Sequence, residues 1–324
     1  MKNILSRAVL ASIAVTLLST VCMQAAAQDS FRFGVISHAF SGTPDEDALR
    51  RALRESDAGN PAFIVVNGIK SATEPCNDAL YSARREMLTE AQAGVIVSLA
   101  ADDWIGCRNK NASIAIERLN HVRDLFFSDE FSFGASKIAL LRQSVTPKFR
   151  SYTENARWEF GNILFATINL PAANNHFVQD GGRNNEFEDR LIANKNWLQR
   201  LFALATQRKM AGIVLFADGN PLAQPGQRPF LLRGQRDGFA ETRQRITTLA
   251  GKFRGKVLLV HGENPKSVSA KDIAWRRNLG SIGVASGWST FVVDSRHTAL
   301  LTLAKTNKAA APPERAIERP RGKS

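Results

Sequence analysis

Residues 61–70, PAFIVVNGIK, decide the fold of this chain. Their short apolar run is rich in β-branched residues and is typical of a strand buried on both faces, and the Asn-Gly pair ends it with a turn. A helical pattern over residues 77–91 follows, and then a second apolar run at residues 94–99. Strand, helix and strand in this order predict neighbouring parallel strands joined by a crossover helix.

The same alternation extends over most of the chain. Apolar runs of strand length occupy residues 31–36, 62–66, 94–99, 212–216 and 256–260. Helical patterns occupy residues 45–54, 77–91, 114–127, 186–208 and 238–253. Two further strands are predicted at residues 158–170 and 289–294, the first with an alternation suited to a mixed or antiparallel sheet. The sequence therefore predicts a layered α/β domain in which helices cover sheet.

Each of the five main predicted strands is followed by polar or turn-forming residues. In chain order these are His38, Asn67, Gly68, Asp102, Asp103, Asp218, Asn220, His261, Glu263 and Asn264. Ligands of open α/β sheets bind beyond the carboxyl ends of the strands. We therefore expect the loops that carry these residues to form one shared cleft.

The first 27 residues have the pattern of an export signal. Lys2 and Arg7 precede an apolar run over residues 8–21, and three small residues end at Ala27. The run is shorter than the roughly 18 to 20 apolar residues of a membrane-spanning helix, and no second such run follows. We expect cleavage and a periplasmic or secreted protein without a transmembrane segment. An uncleaved anchor and lipidation at Cys22 are the alternatives.

Beyond the signal, the chain is long enough for one large α/β domain, which we place at residues 28–304. No Gly/Ser-rich or Pro-rich linker interrupts the middle of the sequence. Residues 305–324 are polar, basic and Pro-containing, with no periodicity that would bury a face. This composition predicts a disordered basic tail.

The chain is strongly basic, with a formal net charge of +13. Lys2 and Arg7 contribute two of these charges, so about +11 remains after cleavage of the signal. Such a charge attracts anions, and an anionic or phosphorylated ligand is therefore expected. The basic residues are dispersed along helical patterns and are not interleaved with aromatic residues, so we expect no specific nucleic-acid binding.

Cleavage removes Cys22 and leaves Cys76 and Cys107. An even pair in an oxidising compartment predicts a disulfide, and two separate buried thiols are the alternative. Closing this loop would stabilise the fold by roughly 3 kcal/mol on the chain-entropy model.

Several stretches together carry a resemblance to a known superfamily. They are FIVVNGIK at residues 63–70, EPCNDALYSARR at 74–85, DDWIGC at 102–107, DGNP at 218–221 and VLLVHG at 257–262. In this order they resemble an exported bacterial branch of the calcineurin-like metallophosphoesterase superfamily. The resemblance covers most of the chain after the signal. It implies a four-layer α/β/β/α sandwich of the metallophosphoesterase type.

The resemblance also implies a two-metal site, and most of its ligands are missing here. Superfamily members hold two divalent cations with Asp-x-His, a bridging Gly-Asp, Gly-Asn-His-acid, a further His and Gly-His-x-His, and the cations generate the attacking hydroxide. Gly68 stands in the slot of the bridging Asp. Asp102 and Asp103 replace the Gly-Asn-His-acid motif. His261 is kept from the last motif, whereas Pro265 replaces its second His.

Six residues remain as candidate metal ligands. They are His38, Asp102, Asp103, Asp218, His261 and Glu263. The other candidate cleft residues are Asn67, Gly68, Asn220 and Asn264. The site would hold one divalent metal ion, Mn²⁺, Zn²⁺ or Fe²⁺, or none. Among the remaining histidines of the mature chain, His121 and His297 are expected to be solvated or packed. His176 lies in an Asn-rich loop and is expected to be a loop residue, with metal binding as the alternative.

Three hypotheses follow from these departures. The favoured one is a catalytically degenerate member of the superfamily, a pseudoenzyme that keeps the fold and the cleft and acts by binding. The alternative is a hydrolase that cleaves a phosphate ester through a rearranged or mononuclear metal site. A purely structural role, stabilised by the Cys76–Cys107 disulfide, is the third.

Overall fold

The structure is a computed structural model that describes residues 30–37, 46–178, 184–223, 236–262, 272–284 and 287–307. The α-helices in these ranges are α1 (Glu46–Ala58), α2 (Asp78–Thr89), α3 (Ala115–Phe126), α4 (Asn185–Gln207) and α5 (Ala240–Lys252). The strands are β1 (Ser30–Ser37), β2 (Ile64–Asn67), β3 (Val95–Ser98), β4 (Arg108–Asn109), β5 (Ala112–Ser113), β6 (Leu141–Arg142), β7 (Ala156–Phe160), β8 (Ile163–Thr167), β9 (Gly212–Ala217), β10 (Lys256–His261), β11 (Ala274–Arg276), β12 (Leu279–Gly283), β13 (Gly287–Asp294) and β14 (Leu301–Asn307). The chain is therefore a mixed α/β protein.

The strands form two large sheets and one small hairpin. The five-stranded sheet has the order β14-β13-β1-β2-β3, and the seven-stranded sheet has the order β11-β12-β10-β9-β8-β7-β6. β1, β2 and β3 are parallel to one another, as are β8, β9, β10 and β12. Three of the four edge strands, β6, β11 and β14, pair antiparallel with their neighbours, and the fourth, β3, is parallel. β4 and β5 form the separate hairpin.

The period of two along each parallel strand divides its side chains between two hydrophobic cores. In β2, Val65 packs in the core between the sheets, whereas Ile64 and Val66 pack under α1, α2 and α3. In β9, Phe216 enters the inter-sheet core and Leu215 packs under α4 and α5. Both faces of these strands are buried, which explains why they read as continuous apolar runs.

Aromatic rings fill the centre of the inter-sheet core. Phe33 of β1 stacks on Phe63 and on Phe291 of β13, with ring centroids 5.3 and 5.0 Å apart. Across the gap, Trp158 of β7 stacks on Phe216 of β9 at 5.9 Å. Such pairs contribute about 0.5–1.5 kcal/mol each beyond the area they bury. The two sheets are therefore held face to face by side chains from both.

The structure confirms all five predicted helices and the five main strands, with small differences at their ends. The prediction of one strand over residues 158–170 is wrong, because β7 and β8 form a tight hairpin there. Its turn is Gly161-Asn162, and Gly161 has a φ of +56°. Glycine adopts this conformation at no steric cost, so the Gly-Asn pair was a turn signal inside the apolar run.

Two of the predicted segments lie largely outside the described residues. The export signal at residues 1–27 is one of them. Of the predicted tail at 305–324, the first three residues belong to β14, which ends at Asn307, and the others are not described. No helix in the described ranges has the length and apolar character needed to cross a membrane.

Candidate functional site

A row of polar residues crosses the five-stranded sheet at the carboxyl ends of its parallel strands. Ser37 of β1 pairs in register with Asn67 of β2, and Asn67 pairs with Ser98 of β3. The Asn67 amide nitrogen lies 3.5 Å from Ser37 Oγ. Asn67 Oδ1 and Ser98 Oγ are buried, and neither has a hydrogen-bond partner among the described residues. Buried polar atoms of this kind commonly bind a water molecule or a ligand.

The second sheet meets this row. His261, the last residue of β10, and Ala217 of β9 line a small cavity together with Ser37 and Asn67. The cavity measures about 10 Å³, roughly the smallest volume that holds one water molecule. The carboxyl ends of β1, β2, β9 and β10 therefore converge, as the sequence predicts for a shared cleft.

Gly68 and Asp103 form the next part of the cleft. Gly68 has a φ of +84°, and a Cβ there would lie 3.1 Å from the Ala100 Cβ. The fully buried Asp103 accepts hydrogen bonds through Oδ1 from the N–H groups of Ile69 at 2.8 Å and Lys70 at 3.2 Å. Its Oδ2 accepts one from the Ala100 N–H at 2.8 Å. Asp103 therefore cross-links the loops after β2 and β3.

Burial shifts the pKa values of both Asp103 and Lys70. Burial raises the pKa of Asp103 to about 7, against the opposing effects of its main-chain hydrogen bonds and of Lys70. Burial also lowers the pKa of Lys70, and the nearby carboxylates, Asp103 first, oppose that change. The Lys70 ammonium donates hydrogen bonds to the carbonyls of Ser71 and Asp102, both at 2.7 Å. A buried cation thus lies under the loops of the cleft.

Asp218 links the two sheets at their cleft ends. It follows β9 directly and is 5% exposed. Its Oδ2 accepts hydrogen bonds from the N–H groups of Ala101, in the loop after β3, and Ala172, in the loop after β8, both at 2.8 Å. Like Asp103, this candidate metal ligand binds main-chain amides.

Of the remaining candidates, the structure describes Asp102 and Asn220. Asp102 is exposed, and Asn220 Oδ1 accepts a hydrogen bond from the Leu222 N–H at 3.0 Å within the turn after β9. Three candidates, His38, Glu263 and Asn264, lie outside the described residues. Within the described ranges, no three or more His, Cys, Asp or Glu side chains form a group that could hold a metal ion.

The motif at residues 74–85 supports the cleft loops. Cys76 and Cys107 lie at disulfide distance, with Cα atoms 5.7 Å apart, as the sequence predicts. Glu74 and Arg84 form a buried ion pair of 2.6 Å. Arg84 Nε also donates a hydrogen bond to the Ile69 carbonyl. The motif therefore anchors the loop after β2.

The loop after β8 carries a strained turn and an oriented histidine. Residues 174–176 all have positive φ, from 46° to 56°. The buried Arg190 holds this turn through the Asn175 carbonyl at 2.8 Å, and its Nε donates to Glu186 at 2.6 Å. His176 Nδ1 lies 2.9 Å from Glu186 Oε2. A carboxylate at this position fixes the orientation of the imidazole.

Glu186 is ionised over most of the pH range. Burial alone would raise its pKa, but Arg190 and His176 outweigh burial and lower the pKa to about 2. The His176 ring packs edge-on against Trp104, with ring centroids 4.7 Å apart. Trp104 immediately follows Asp103, so His176 lies beside the loop after β3. The loops after β3 and β8 therefore meet at this histidine.

A network of buried amides connects this loop to the sheet. Asn155 donates to Gln143 at 2.7 Å and to Asn194 at 2.9 Å, and its Oδ1 accepts from the Asn169 N–H at 2.8 Å. The Asn169 side chain donates to Glu154 at 2.8 Å. Buried polar networks of this kind favour one arrangement of the loops.

Sequence reasoning underestimated or missed several of these residues. His176 was expected to be a loop residue, and Lys70, Ser98 and Arg190 were not candidates. One signal was available, because Glu186 precedes Arg190 by four positions in a helix, which is the spacing of an ion pair. The partners of Lys70 and Ser98 depend on the packing of separate loops, which a single sequence does not reveal.

In comparisons with known proteins, no family model matches this chain and no curated protein matches its sequence.

Proposed function

We propose that this chain is an exported protein with the calcineurin-like phosphoesterase fold, a four-layer α/β/β/α sandwich, that has lost two-metal catalysis and binds an anionic ligand in its cleft. The element order supports the fold, because helices cover the outer face of each of two facing sheets. The cysteine pair at disulfide distance is compatible with export.

The observation that carries the proposal is that the two buried carboxylates of the cleft accept hydrogen bonds from main-chain amides. Asp103 accepts three hydrogen bonds from main-chain amides, and Asp218 accepts two. A carboxylate that binds a catalytic cation directs its oxygens at the ion. Here both oxygens of Asp103 and Oδ2 of Asp218 hold loops together, and Gly68 offers no carboxylate beside them. These residues therefore favour a former metal site that no longer binds two cations.

The same cleft retains groups suited to an anion. The Ser98 hydroxyl and the Asn67 amide lie in a row with Ser37, and His261 lines the same small cavity as Ser37 and Asn67. Hydroxyl and amide groups donate hydrogen bonds to phosphate or carboxylate oxygens. The net charge, about +11 after cleavage of the signal, would draw such a ligand toward the protein. Phosphate is therefore the first ligand to test.

The test compares two buried serines whose hydroxyls have no partner among the described residues. Ser98→Ala changes the cleft, and Ser56→Ala changes the contact between α1 and β1. We expect isothermal titration to show phosphate binding that weakens at least fivefold in Ser98→Ala and less than twofold in Ser56→Ala. Equal affinities in both variants and the wild type would contradict a ligand at Ser98.

Metal content tests the loss of catalysis separately. The mature protein is incubated with Mn²⁺, Zn²⁺ and Fe²⁺, freed of excess ion and analysed by elemental mass spectrometry. We expect less than one ion per chain and no hydrolysis of bis-p-nitrophenyl phosphate. Two ions per chain with turnover would overturn the proposal.

One observation favours the alternative of an active phosphoesterase. His176 is held by the ionised Glu186 against Trp104, which is the arrangement of an oriented general acid or base. With Asp102 on the adjoining loop, it would serve a rearranged or mononuclear metal site. In that case one bound ion would accompany turnover, and His176→Gln would reduce turnover at least a hundredfold. Unchanged turnover in His176→Gln would exclude this role.

A further inference from the structure

A second cavity lies at the outer edge of the seven-stranded sheet, away from the cleft. Its volume is about 550 Å³, within the range of small-molecule sites. β6 pairs only with residues 156 and 157 of β7, and the cavity opens where residues 139–141 run beside the rest of that strand. We call it the edge cavity. None of the described cleft residues lines it.

The edge cavity contains a buried cation without a contacting carboxylate. Arg142 is 7% exposed and lines the cavity. Its guanidinium donates to the carbonyls of Asp129 at 2.6 Å and Thr153 at 2.9 Å and packs over the Phe127 ring. Among the described residues, no carboxylate lies within 4.0 Å of it. Burying a charge is costly unless an opposite charge compensates it, so the arrangement favours an anion.

A further polar group in the same lining has no partner. The buried hydroxyl of Thr153 makes no hydrogen bond to any described residue, and Thr153 lines the edge cavity beside Arg142. The Trp158 indole N–H is also unpaired within the described part of the chain, but its ring stacks on Phe216 in the inter-sheet core. An unsatisfied buried hydroxyl is unfavourable, and a bound acceptor would offset that cost.

The acidic residues of the cavity do not balance its arginines. Glu159 is shared by Arg157 at 3.3 Å and Arg208 at 2.6 Å. Two cations therefore use one carboxylate. Arg142 adds a third positive charge and Glu130 a second negative charge, so the lining keeps one net positive charge. The field inside the cavity favours a negative ligand.

Most of the remaining lining is apolar. Its apolar residues are Phe127, Ala139, Leu140, Leu141 and Val145, and Ser128 and Ser144 are polar. Leu141 and Val145 are 37% and 60% exposed, so an apolar surface extends to the mouth of the cavity. A purely ionic ligand such as phosphate would leave this surface unused. An apolar body of about a dozen carbon atoms would cover it.

We infer that the edge cavity binds a small amphipathic anion, with its acidic group near Arg142 and Thr153 and its apolar body over the Leu141–Val145 side. A carboxylate or sulfonate on an aliphatic or aromatic body has this chemistry. The site is independent of the ligand proposed for the cleft.

The experiment uses the full mature chain and the fluorescent probe 1-anilinonaphthalene-8-sulfonate, an aromatic sulfonate. Dodecanoate competes with the probe, and dodecyltrimethylammonium serves as a ligand of equal chain length and opposite charge. We expect dodecanoate to displace the probe at concentrations at least tenfold lower than the cation. Equal displacement by both would overturn the requirement for an anion.

Two variants with a matched control locate the site. Val145→Glu places a carboxylate at the mouth, and Ile192→Glu makes the same change at an exposed position on α4 that does not line the cavity. We expect the first to weaken probe binding at least tenfold and the second less than twofold. Thr153→Val, which removes the unpaired hydroxyl, should weaken binding three- to tenfold with an unchanged Tm. Wild-type affinity in both Val145→Glu and Thr153→Val would overturn the assignment.

Discussion

Asp103 and Glu186 are both largely buried carboxylates near the cleft, yet their pKa values move in opposite directions. Asp103 accepts hydrogen bonds only from neutral main-chain amides, and burial raises its pKa to about 7 although these bonds and the nearby Lys70 oppose the shift. Glu186 contacts Arg190 and His176, which lower its pKa to about 2 although burial opposes them. The difference shows that hydrogen bonds from amides position a carboxylate, whereas a cation in contact keeps it charged.

The largest expected effect comes from removing Arg190, the cation that contacts Glu186. Arg190→Met leaves Glu186 buried without its strongest partner and frees the turn at residues 174–176. We expect a loss of about 3–5 kcal/mol in the free energy of unfolding, measured by urea denaturation at pH 7. Arg208→Met, which breaks an exposed ion pair with Glu159, is the control and should cost less than about 1 kcal/mol. Equal losses in both would show that burial of the pair is unimportant.

The disulfide is connected to Asp103 through Tyr81. Tyr81 donates a hydrogen bond to the Asp103 carbonyl at 2.8 Å and its hydroxyl lies 3.7 Å from Cys107 Sγ. The double variant Cys76→Ser and Cys107→Ser should lose roughly 3 kcal/mol by the loop-entropy argument. Addition of a reductant to the wild type should lower Tm to that of the double variant. A wild-type Tm that reductant leaves unchanged would count against the disulfide.

Glu186→Gln weakens the contact with Arg190 while preserving its shape. We expect it to cost about 2 kcal/mol at pH 7, because a charged hydrogen bond becomes a neutral one. The wild-type pKa is lower in the folded than in the unfolded state, so this stabilisation is present above about pH 4.5 and is lost as the pH falls toward 2. The free-energy difference between the two proteins should shrink over that range. A difference independent of pH would exclude the ion pair as its source.

Asp103→Asn should show the opposite pH dependence and the smallest effect. The folded pKa of Asp103 is raised above its unfolded value, so the wild type loses stability as the pH rises from about 4 to about 7. Relative to the variant, the wild type should become less stable by at least about 1.4 kcal/mol over that range, the free energy of one pKa unit. Chemical denaturation at pH 4, 5.5 and 7.5 measures this. A difference that is constant with pH would place the Asp103 pKa near its ordinary value.

Much of the fold could be predicted because the local patterns are strong. The run at residues 62–66 is apolar on both faces, and the structure buries both faces of β2. Strands such as β11 and β14 escaped prediction, because they are edge strands with mixed polar sequences. The hairpin at Gly161 was missed because its apolar flanks resembled one strand.

The candidate site was less predictable, because sequence gives residue types and strand ends but not the direction of a side chain. Asp103 and Asp218 were found as carboxylates at the correct edge. That they bind main-chain amides depends on contacts between loops far apart in the chain, such as that between Asp218 and Ala101. His176 was undervalued because its orientation depends on Glu186, ten residues later.

The backbone conformation of Gly68 makes it difficult to restore a metal-binding carboxylate to the cleft. A carboxylate introduced there by Gly68→Asp would adopt a left-handed backbone that L-residues disfavour, and its Cβ would press on Ala100. The loops joined by Asp103 would have to separate first. Engineering a metal-binding carboxylate into this protein therefore requires rebuilding two loops together, and a single substitution is expected to yield an unstable protein before it yields an ion site.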